Sequence, residues 1–261
     1  MSRTHTSAHR HIVVTGAGTG IGRAIALRLA SKHVALSLLA RDVARLEETA
    51  ASVRKQGARA AVFACDIRKR SQVDDAFARA AALHGPLDAL IANSGIGGAN
   101  AAGRKDRFDA LIATNLVGTY SCLRAAQAHL SVGPRVRHLV VVSSILARIG
   151  VAGYTGYCAS KAGLLGLVRA LSVELAADNV QVNALCPGWV NTEMAREGLE
   201  GMAQALGVSF DEARRLALRD VPLRRMSEPD EVAELVAWLV SDVARGITGQ
   251  ALDINNGAFM N

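Results

Sequence analysis

The chain has 261 residues, half of them apolar and 20% charged, and its formal net charge is +7. No apolar run approaches the ~18 residues that a membrane-spanning helix needs, which argues against a membrane protein. The basic residues are interleaved with acidic ones, so the composition does not favour a nucleic-acid-binding protein either. Segment 1–10 is polar, lacks the apolar centre of a secretory signal, and predicts a disordered tail on a cytoplasmic protein.

Cysteine and histidine spacing gives no sign of a metal site. The four cysteines, at positions 65, 122, 158 and 186, are far apart and contain no C-x-x-C pair, which predicts reduced and mostly buried thiols. His5, His9 and His11 are close together, but the polar tail accounts for them without a metal ion.

Short apolar segments alternate with helical ones from residue 11 onward. The predicted strands are 11–15, 34–39, 60–65, 87–92, 137–144, 180–186 and 250–254. The predicted helices are 23–32, 42–56, 71–85, 107–130, 155–177 and 228–242. Continuously apolar strands are typical of a sheet buried on both faces, and their alternation with helices predicts parallel βαβ units. We therefore predict an α/β fold: a single doubly wound, Rossmann-type domain over 11–261, with a seven-stranded parallel sheet and helices on both faces.

Two segments depart from this alternation. Residues 191–227 read as helical without a strand, which predicts a substrate lid. The loop TGAGTGIG, residues 15–22, follows the first strand and opens the first helix, where glycines allow a pyrophosphate to approach the backbone. Its fixed points are Gly16, Gly20 and Gly22, with Thr19 and Ile21 between them.

This loop, with Asp66, NSG at 93–95, Asn115, Ser144, Tyr157, Lys161 and PGWVNT at 187–192, resembles the short-chain dehydrogenase/reductase family, in particular its 3-oxoacyl-carrier-protein-reductase-like members. The resemblance covers residues 11–258. It implies that Asp66 and Ile67 hold an adenine ring, that Asn93 supports the cofactor side, and that Val190 and Thr192 contact a nicotinamide. Position 93 departs from the family pattern, since the usual Asn-Asn-Ala-Gly is Ala-Asn-Ser-Gly here.

The end of the second strand, LLARD, bears on the choice of cofactor. In the family an acidic residue at this point accepts from the ribose of NAD, and Ala40 occupies that position here. Arg41 follows and can pair with a 2′-phosphate, whereas Asp42 fits a helix N-cap. We therefore expect NADP(H) to be preferred, with NAD(H) possible, although Thr19 stands where many NADP-binding relatives carry a second basic residue.

Tyr157 and Lys161 lie four residues apart, which places them on one face of a helix. A phenol has an ordinary pKa near 10, and a nearby cation lowers that pKa by favouring the phenolate. Ser144 ends the fifth strand and can hydrogen-bond a substrate carbonyl beside Tyr157. The resemblance implies that Asn115 completes the catalytic set by holding a proton-relay water.

Two neighbours of this pair need a separate interpretation. Tyr154 lies seven residues before Lys161 and reads as a pocket wall or packing residue, with Thr155 as a cap of the helix that follows. Cys158 is interpreted as a small buried thiol.

We therefore expect an oxidoreductase that transfers a hydride between NADP(H) and a ketone or secondary alcohol. The expected type is a ketoreductase that acts on a 3-oxoacyl or cyclic ketone. The alternatives are an NAD-dependent alcohol or sugar-alcohol dehydrogenase and a non-catalytic dinucleotide-sensing protein. The resemblance also implies a homo-oligomer, a dimer or homotetramer, formed through the long helices near 107–130 and 155–177.

Overall fold

Seven parallel strands form one sheet in the computed structural model, which describes residues 10–100 and 102–260. Their order across the sheet is β3-β2-β1-β4-β5-β6-β7. The strands are β1 Arg10–Thr15, β2 Val34–Ala40, β3 Arg59–Ala64, β4 Ala89–Ala92, β5 Arg137–Val142, β6 Val180–Pro187 and β7 Ala251–Ile254. This confirms the predicted doubly wound sheet.

Helices cover both faces of the sheet. They are α1 Gly20–Leu29, α2 Val43–Lys55, α3 Arg70–His84, α4 Phe108–Leu111, α5 Thr119–Ala128, α6 Thr155–Glu174, α7 Glu193–Leu206, α8 Phe210–Ala217 and α9 Pro229–Leu239. A π-helical segment, Ile112–Gly118, joins α4 to α5, and short 3₁₀ turns lie at Ile145–Ala147, Ala176–Asp178 and Asp242–Ala244.

The alternation of side chains along each strand builds two cores. Val13 of β1 and Leu139 of β5 belong to the core on one face, whereas Ile12 and Val140 belong to the core on the other. All four side chains are at most 1% exposed, so both faces are dry. Consecutive strand residues are apolar because alternate side chains enter the cores on opposite faces of the sheet.

The strand order reverses between β1 and β4, which continue in opposite directions across the sheet. At such a switch point the loops after the two strands separate and leave a crevice at the carboxyl edge. The glycine loop after β1 and the Asn93 segment after β4 lie at this crevice. The topology thus decides where the site forms.

Segment 191–227 forms α7 and α8 with a small core of its own. Ala195, Leu199, Leu218 and Met226 pack together, separately from the two cores of the sheet. Val190 and Ser227 form an isolated parallel bridge at the base of the segment. Its helical character matches the prediction, and its role as a lid stays a prediction.

Several local predictions are tested at the ends of the helices. Asp42 is the N-cap of α2 and accepts from the Arg45 amide at 3.2 Å, and Gly85, with φ +86°, ends α3, as expected. Helix α3 begins at Arg70, one residue before the predicted start at Ser71. Of the predicted tail, residues 1–9, with His5 and His9, lie outside the described residues, whereas Arg10 is wrongly included because it begins β1.

Candidate active site

The glycine loop forms a tight turn between β1 and α1. Gly16 has φ +66° and Gly20 has φ +49°. A Cβ on Gly22 would lie 2.1 Å from the Gly16 carbonyl oxygen, so no larger residue fits there. The N-cap of α1, Thr19, makes no side-chain cap bond, and the first turn has no acidic residue. The amides of this turn are therefore available to an anion, which the positive end of the helix dipole also favours.

Asn93 joins the end of β4 to this loop. Its side-chain amide donates to the carbonyl oxygens of Thr15, at 3.1 Å, and Gly16, at 3.3 Å. The Thr15 hydroxyl accepts in return from the backbone amides of Asn93 and Ser94, each at 3.0 Å. The single asparagine of the Ala-Asn-Ser-Gly variant thus fixes both strand ends of the crevice, which supports the predicted role of Asn93.

Arg41 follows β2 directly and is exposed, whereas Ala40 ends the strand. Arg41 forms no ion pair with another residue of the described ranges. Asp42 turns its carboxylate to the α2 amide of Arg45. A cation therefore stands directly after position 40, where an acidic residue would repel a phosphate.

Asp66 differs from its predicted role in one respect, because its carboxylate is already engaged. Arg68 donates to it through Nε at 2.9 Å and Nη2 at 2.5 Å. Hydrogen bonding from Arg68 lowers the pKa of Asp66 to about 2. The neighbouring Ile67 is 6% exposed and packs against Gly118 of the π-helical segment. Ile67 thus packs on the helix that carries Asn115, and its contact with an adenine ring stays a prediction.

Tyr157 and Lys161 both lie in the first two turns of α6, as their spacing predicts. Lys161 Nζ is 5.7 Å from the Tyr157 ring centroid and donates to the Val142 carbonyl oxygen at 3.0 Å. Burial lowers the pKa of the Lys161 ammonium to about 8. Burial also raises the pKa of the Tyr157 phenol above its ordinary value, and the Ser144 hydroxyl opposes part of that rise.

The pKa of Tyr157 is therefore raised on balance, and Lys161 is not among the groups that lower it in this structure. Removing the phenol from water disfavours the phenolate, and this effect exceeds the others that act on Tyr157. Lys161 directs its ammonium to a backbone carbonyl instead. Tyr157 is consequently a protonated phenol at neutral pH, which is the form that can donate a proton.

Ser144 lies two residues after the end of β5 at Val142 and is 8% exposed. Its hydroxyl oxygen accepts from the Leu146 amide at 3.1 Å and so caps the 3₁₀ turn Ile145–Ala147. The same hydroxyl acts on the Tyr157 phenol. The structure therefore brings Ser144 and Tyr157 together across 13 positions of the chain.

Asn115 is fully buried in the π-helical segment between α4 and α5. Its carboxamide holds the backbone of Ile96, accepting from N at 2.8 Å and donating to O at 3.0 Å, and donates to Ser160 Oγ at 3.2 Å. A Cβ on Gly95 would lie 3.2 Å from Asn115 Oδ1 and 3.5 Å from Lys161 Nζ, so the two side chains converge there. π-Helical turns inside α-helices are frequent at functional sites.

The rival tyrosine and the cysteine beside Tyr157 occupy other positions. Tyr154 is the N-cap of α6, half-buried and outside the helix. Cys158 is half-buried rather than buried, with its thiol 3.8 Å from the Ile149 carbonyl oxygen, so the predicted burial is wrong. Cys158 lies on the first turn of α6.

Asn100 is a functional candidate that the sequence did not indicate. Its Oδ1 accepts from the Gly156 amide at 2.9 Å, and its Nδ2 donates to Thr155 Oγ1 at 2.9 Å. The side-chain cap of the helix that carries Tyr157 therefore comes from the loop after β4. The prediction that Thr155 caps this helix is wrong. Asn100 and Thr155 are 55 positions apart, so no local sequence pattern connects them and only the folded structure shows this cap.

The segment after β6 closes the crevice from the side of α7. Val190 is 5% exposed, and Thr192 is the N-cap of α7, accepting from the Ala195 amide at 3.3 Å. The Thr192 methyl group packs on Gly20, since a Cβ there would lie 3.1 Å from it. Thr192 thus lies beside the glycine loop, and the nicotinamide contacts of Val190 and Thr192 stay predictions.

Comparison with known proteins agrees with this geometry. Residues 16–258 match the family model described as enoyl-(acyl carrier protein) reductase, a model of short-chain dehydrogenases/reductases. A 3-oxoacyl-acyl-carrier-protein reductase of Aggregatibacter actinomycetemcomitans is 32% identical over 249 residues, which are 94% of this chain and 98% of that protein. The chain belongs to the short-chain dehydrogenase/reductase family.

Solved structures of other family members superpose on almost the whole chain. A variant of actinorhodin polyketide ketoreductase, solved with NADPH, has a TM-score of 0.88 and 31% identity, covering 97% of this chain and 98% of that one. Levodione reductase has a TM-score of 0.85 and 28% identity, covering 95% and 96%. This short-chain dehydrogenase/reductase is accordingly an oxidoreductase that acts on carbonyl or alcohol groups.

The crevice of this family member fits a dinucleotide. The uncapped first turn of α1 suits a pyrophosphate, and the close packing of Gly16 and Gly22 against Asn93 and the backbone keeps the turn tight. Among the described residues, no group of three or more His, Cys, Asp or Glu is arranged to hold a metal ion. Within the same ranges, none of the helices combines the length and hydropathy that crossing a bilayer requires.

Proposed function

We propose that the protein is an NADP(H)-dependent ketoreductase that converts a ketone, of the 3-oxoacyl or cyclic type, into a secondary alcohol. The observation that carries the proposal is the half-buried, protonated Tyr157 phenol beside Ser144, with Lys161 one helical turn away. Relatives named as ketoacyl or 3-oxoacyl reductases, and the ketoreductase solved with NADPH, support the same reaction class.

The cofactor would be held by the glycine loop at its pyrophosphate and by Arg41 at its 2′-phosphate. Asp66 and Ile67 would line the adenine end, while Asn93, Val190 and Thr192 would line the nicotinamide end. When bound, NADPH supplies the hydride that reduces the carbonyl carbon.

The remaining chemistry belongs to side chains of this protein. Ser144 donates a hydrogen bond to the substrate carbonyl, and Tyr157 donates the proton that the developing alkoxide needs. A carbonyl thereby gains one hydride at carbon and one proton at oxygen, which balances the reduction to an alcohol. Lys161 and Asn115 restore the Tyr157 proton: Asn115 Oδ1 accepts one bond from the Ile96 amide and retains a lone pair for a relay water.

The test is NADPH oxidation with purified protein over 3-oxoacyl thioesters, cyclic ketones, sugars and quinones, with enoyl thioesters as a separate arm. We expect turnover of at least one ketone class. Tyr157→Phe should lower kcat by about 10²–10⁴-fold, the usual contribution of a positioned general acid, with the Kd for NADPH unchanged. Tyr154→Phe, the matched control, should retain most activity.

The enoyl arm addresses a second candidate reaction, which the description of the family model favours. Enoyl reduction places hydride and proton on two carbons, so a hydroxyl pair aimed at one carbonyl oxygen is less suited to it. Turnover of enoyl thioesters alone, or a larger loss in Tyr154→Phe than in Tyr157→Phe, would contradict the ketoreductase assignment.

A homo-oligomer, a dimer or tetramer, is also proposed, in the cytoplasm and with a small molecule as the substrate partner. Apolar side chains on α5, α6 and the π-helical segment are exposed: Val117 by 52%, Tyr120 by 38% and Val173 by 79%. Burying such surface between copies is favourable. Light scattering of the purified protein measures the number of subunits, and a monomer at micromolar concentration would contradict this part.

A further inference from the structure

The turn that carries Ser144 is restrained by short contacts of its own. Ser144 caps it through the Leu146 amide, and the carbonyl oxygens of Ser144 and Ile145 accept from Ala147 at 3.0 Å and Arg148 at 2.8 Å. The turn contains three residues and ends at Arg148. So short a turn has little stability of its own, and its position depends on what holds its ends.

Arg148 anchors that end to a strand two places away in the sheet. The order β5-β6-β7 means that the side chain passes over β6 before it reaches β7. There Nη2 donates to the Ala251 carbonyl oxygen at 2.8 Å and to Asp253 Oδ2 at 3.3 Å, and Nε lies 3.4 Å from Oδ1. Arg148 and Asp253 side chains are each only 19% exposed.

Two further contacts hold the guanidinium in place. It lies over the ring of Phe259, 5.9 Å from the centroid. It also interacts with the buried thiol of Cys186, the residue before Pro187 on β6. The side chain thus touches the Ser144 turn, β6, β7 and the C-terminal segment together, unlike an exposed surface pair.

We propose that Arg148 is a positioning residue for Ser144, and that its pairing with Asp253 sets where the Ser144 hydroxyl lies relative to the Tyr157 phenol. This rests on the proposed ketoreductase function. Arg148 does not touch the reacting atoms. It acts by fixing the far end of the turn that Ser144 caps, so the role is lost when the guanidinium loses Asp253.

The experiment is a double-mutant cycle between Arg148 and Ser144, measured with NADPH and the best ketone of the panel. Arg148→Gln should lower kcat about tenfold, the effect of a modest misplacement, with KM and the Kd for NADPH unchanged. In the Ser144→Ala background the same substitution should change kcat by less than about twofold, because the group that it positions is gone. Arg148→Lys, which keeps a cation for Asp253, should recover most of kcat.

Controls separate positioning from general destabilisation. Arg28→Gln removes a matched Arg–Glu pair, Arg28–Glu234, which joins α1 to α9 away from the site, and should leave kcat unchanged. Asp253→Asn perturbs the same ion pair from its other side and should also lower kcat. It replaces Arg148→Gln in the test if that variant folds poorly. An equal loss of kcat in the wild-type and Ser144→Ala backgrounds, or no loss in either Arg148→Gln or Asp253→Asn, would overturn the proposal.

A structural readout does not depend on turnover. In a crystal structure of Arg148→Gln, Ser144 Oγ should leave its position 3.1 Å from the Leu146 amide that it has here. An unmoved Ser144 would overturn the positioning role. A wild-type protein inactive on every ketone would instead contradict the proposed function, while the crystal structure would still test Arg148.

Discussion

Arg41 is the exposed side chain that we expect to bear most directly on which cofactor binds. It follows β2 at the point where Ala40 replaces the acidic residue of NAD-preferring relatives, and it has no ion-pair partner among the described residues. A guanidinium there gains a charge-assisted hydrogen bond only when the ribose carries a 2′-phosphate.

Arg41→Ala should therefore weaken NADPH binding about 10- to 100-fold, the equivalent of a hydrogen bond to a charged group, and leave NADH binding nearly unchanged. Fluorescence titration of both cofactors into wild type and variant measures this. Arg54→Ala removes another exposed arginine, on α2 and paired with Glu47, and serves as the matched control. Equal affinity of wild type for NADH and NADPH would contradict the assignment.

Lys161 predicts how ketone reduction depends on pH. Burial lowers the pKa of its ammonium to about 8, so its charge is present below that pH and is lost above it. If the charged form takes part in proton return to Tyr157, kcat/KM for ketone reduction should fall as pH rises through about 8, since kcat/KM reports groups of the free enzyme. Lys161→Arg should move this alkaline limb upward, because an arginine stays protonated. An unshifted limb in that variant would assign it to another group.

At the scale of elements, the start of α6 depends on the loop after β4. Asn100 Oδ1 accepts from the Gly156 amide, and Asn100 N donates to the Gly153 carbonyl oxygen at 2.8 Å. The first turn of α6 contains Tyr157, so this loop holds the start of the helix that carries the proposed proton donor. The N-cap residue itself, Tyr154, contributes no side-chain bond.

Asn100→Ala should lower the free energy of unfolding by about 1 kcal/mol, the usual cost of losing an N-cap acceptor. It should also lower kcat, because the freed turn holds Tyr157 less firmly. Thermal melts and ketone-reduction kinetics measure the two effects. Gln56→Ala, at the exposed end of α2, is the control. A variant with wild-type kcat would show that Tyr157 does not depend on this cap.

The stability of the whole molecule depends on three histidines at the edge of the sheet opposite the site. Burial lowers their pKa values, so their rings are neutral at pH 7. Burial lowers the pKa of His11 and brings the pKa values of His84 and His138 to about 4. His11 Nε2 meets Ser37 Oγ at 2.9 Å, whereas neither ring nitrogen of His138 has a hydrogen-bond partner among the described residues. Each of these rings must leave its site or accept a buried charge when protonated.

The folded protein should therefore lose stability in acid. A histidine with a pKa near 6.5 when unfolded and about 4 when folded contributes fully above pH 6.5, and the contribution is lost as pH falls through 4. For His138, which is 1% exposed, this amounts to about 3 kcal/mol. Urea unfolding between pH 7 and pH 4 measures it, and His138→Leu should reduce the slope without loss of stability at pH 7. A full slope in that variant would contradict the prediction.

The site residues divide according to how far apart they are in the chain. The glycine loop and the Tyr157–Lys161 pair lie within short segments whose spacing can be interpreted without the fold. Asn93 directly follows one predicted strand and Ser144 ends another, so the parallel sheet already places them at one edge. By contrast, the Arg68 side chain on Asp66, although only two residues away, depends on rotamer choices that no spacing fixes.

The sequence by itself determined the seven strands, the crevice at their carboxyl ends and the identity of the central catalytic candidates. These follow from local apolar patterns and from helical spacing, which act over a few residues. Only the tertiary structure decided that Asn100 caps α6, that Arg148 reaches Asp253 across 105 positions, and that the pKa of Tyr157 rises. Contacts between distant residues and the removal of a group from water both depend on how the elements pack, and that information exists only once the chain is folded.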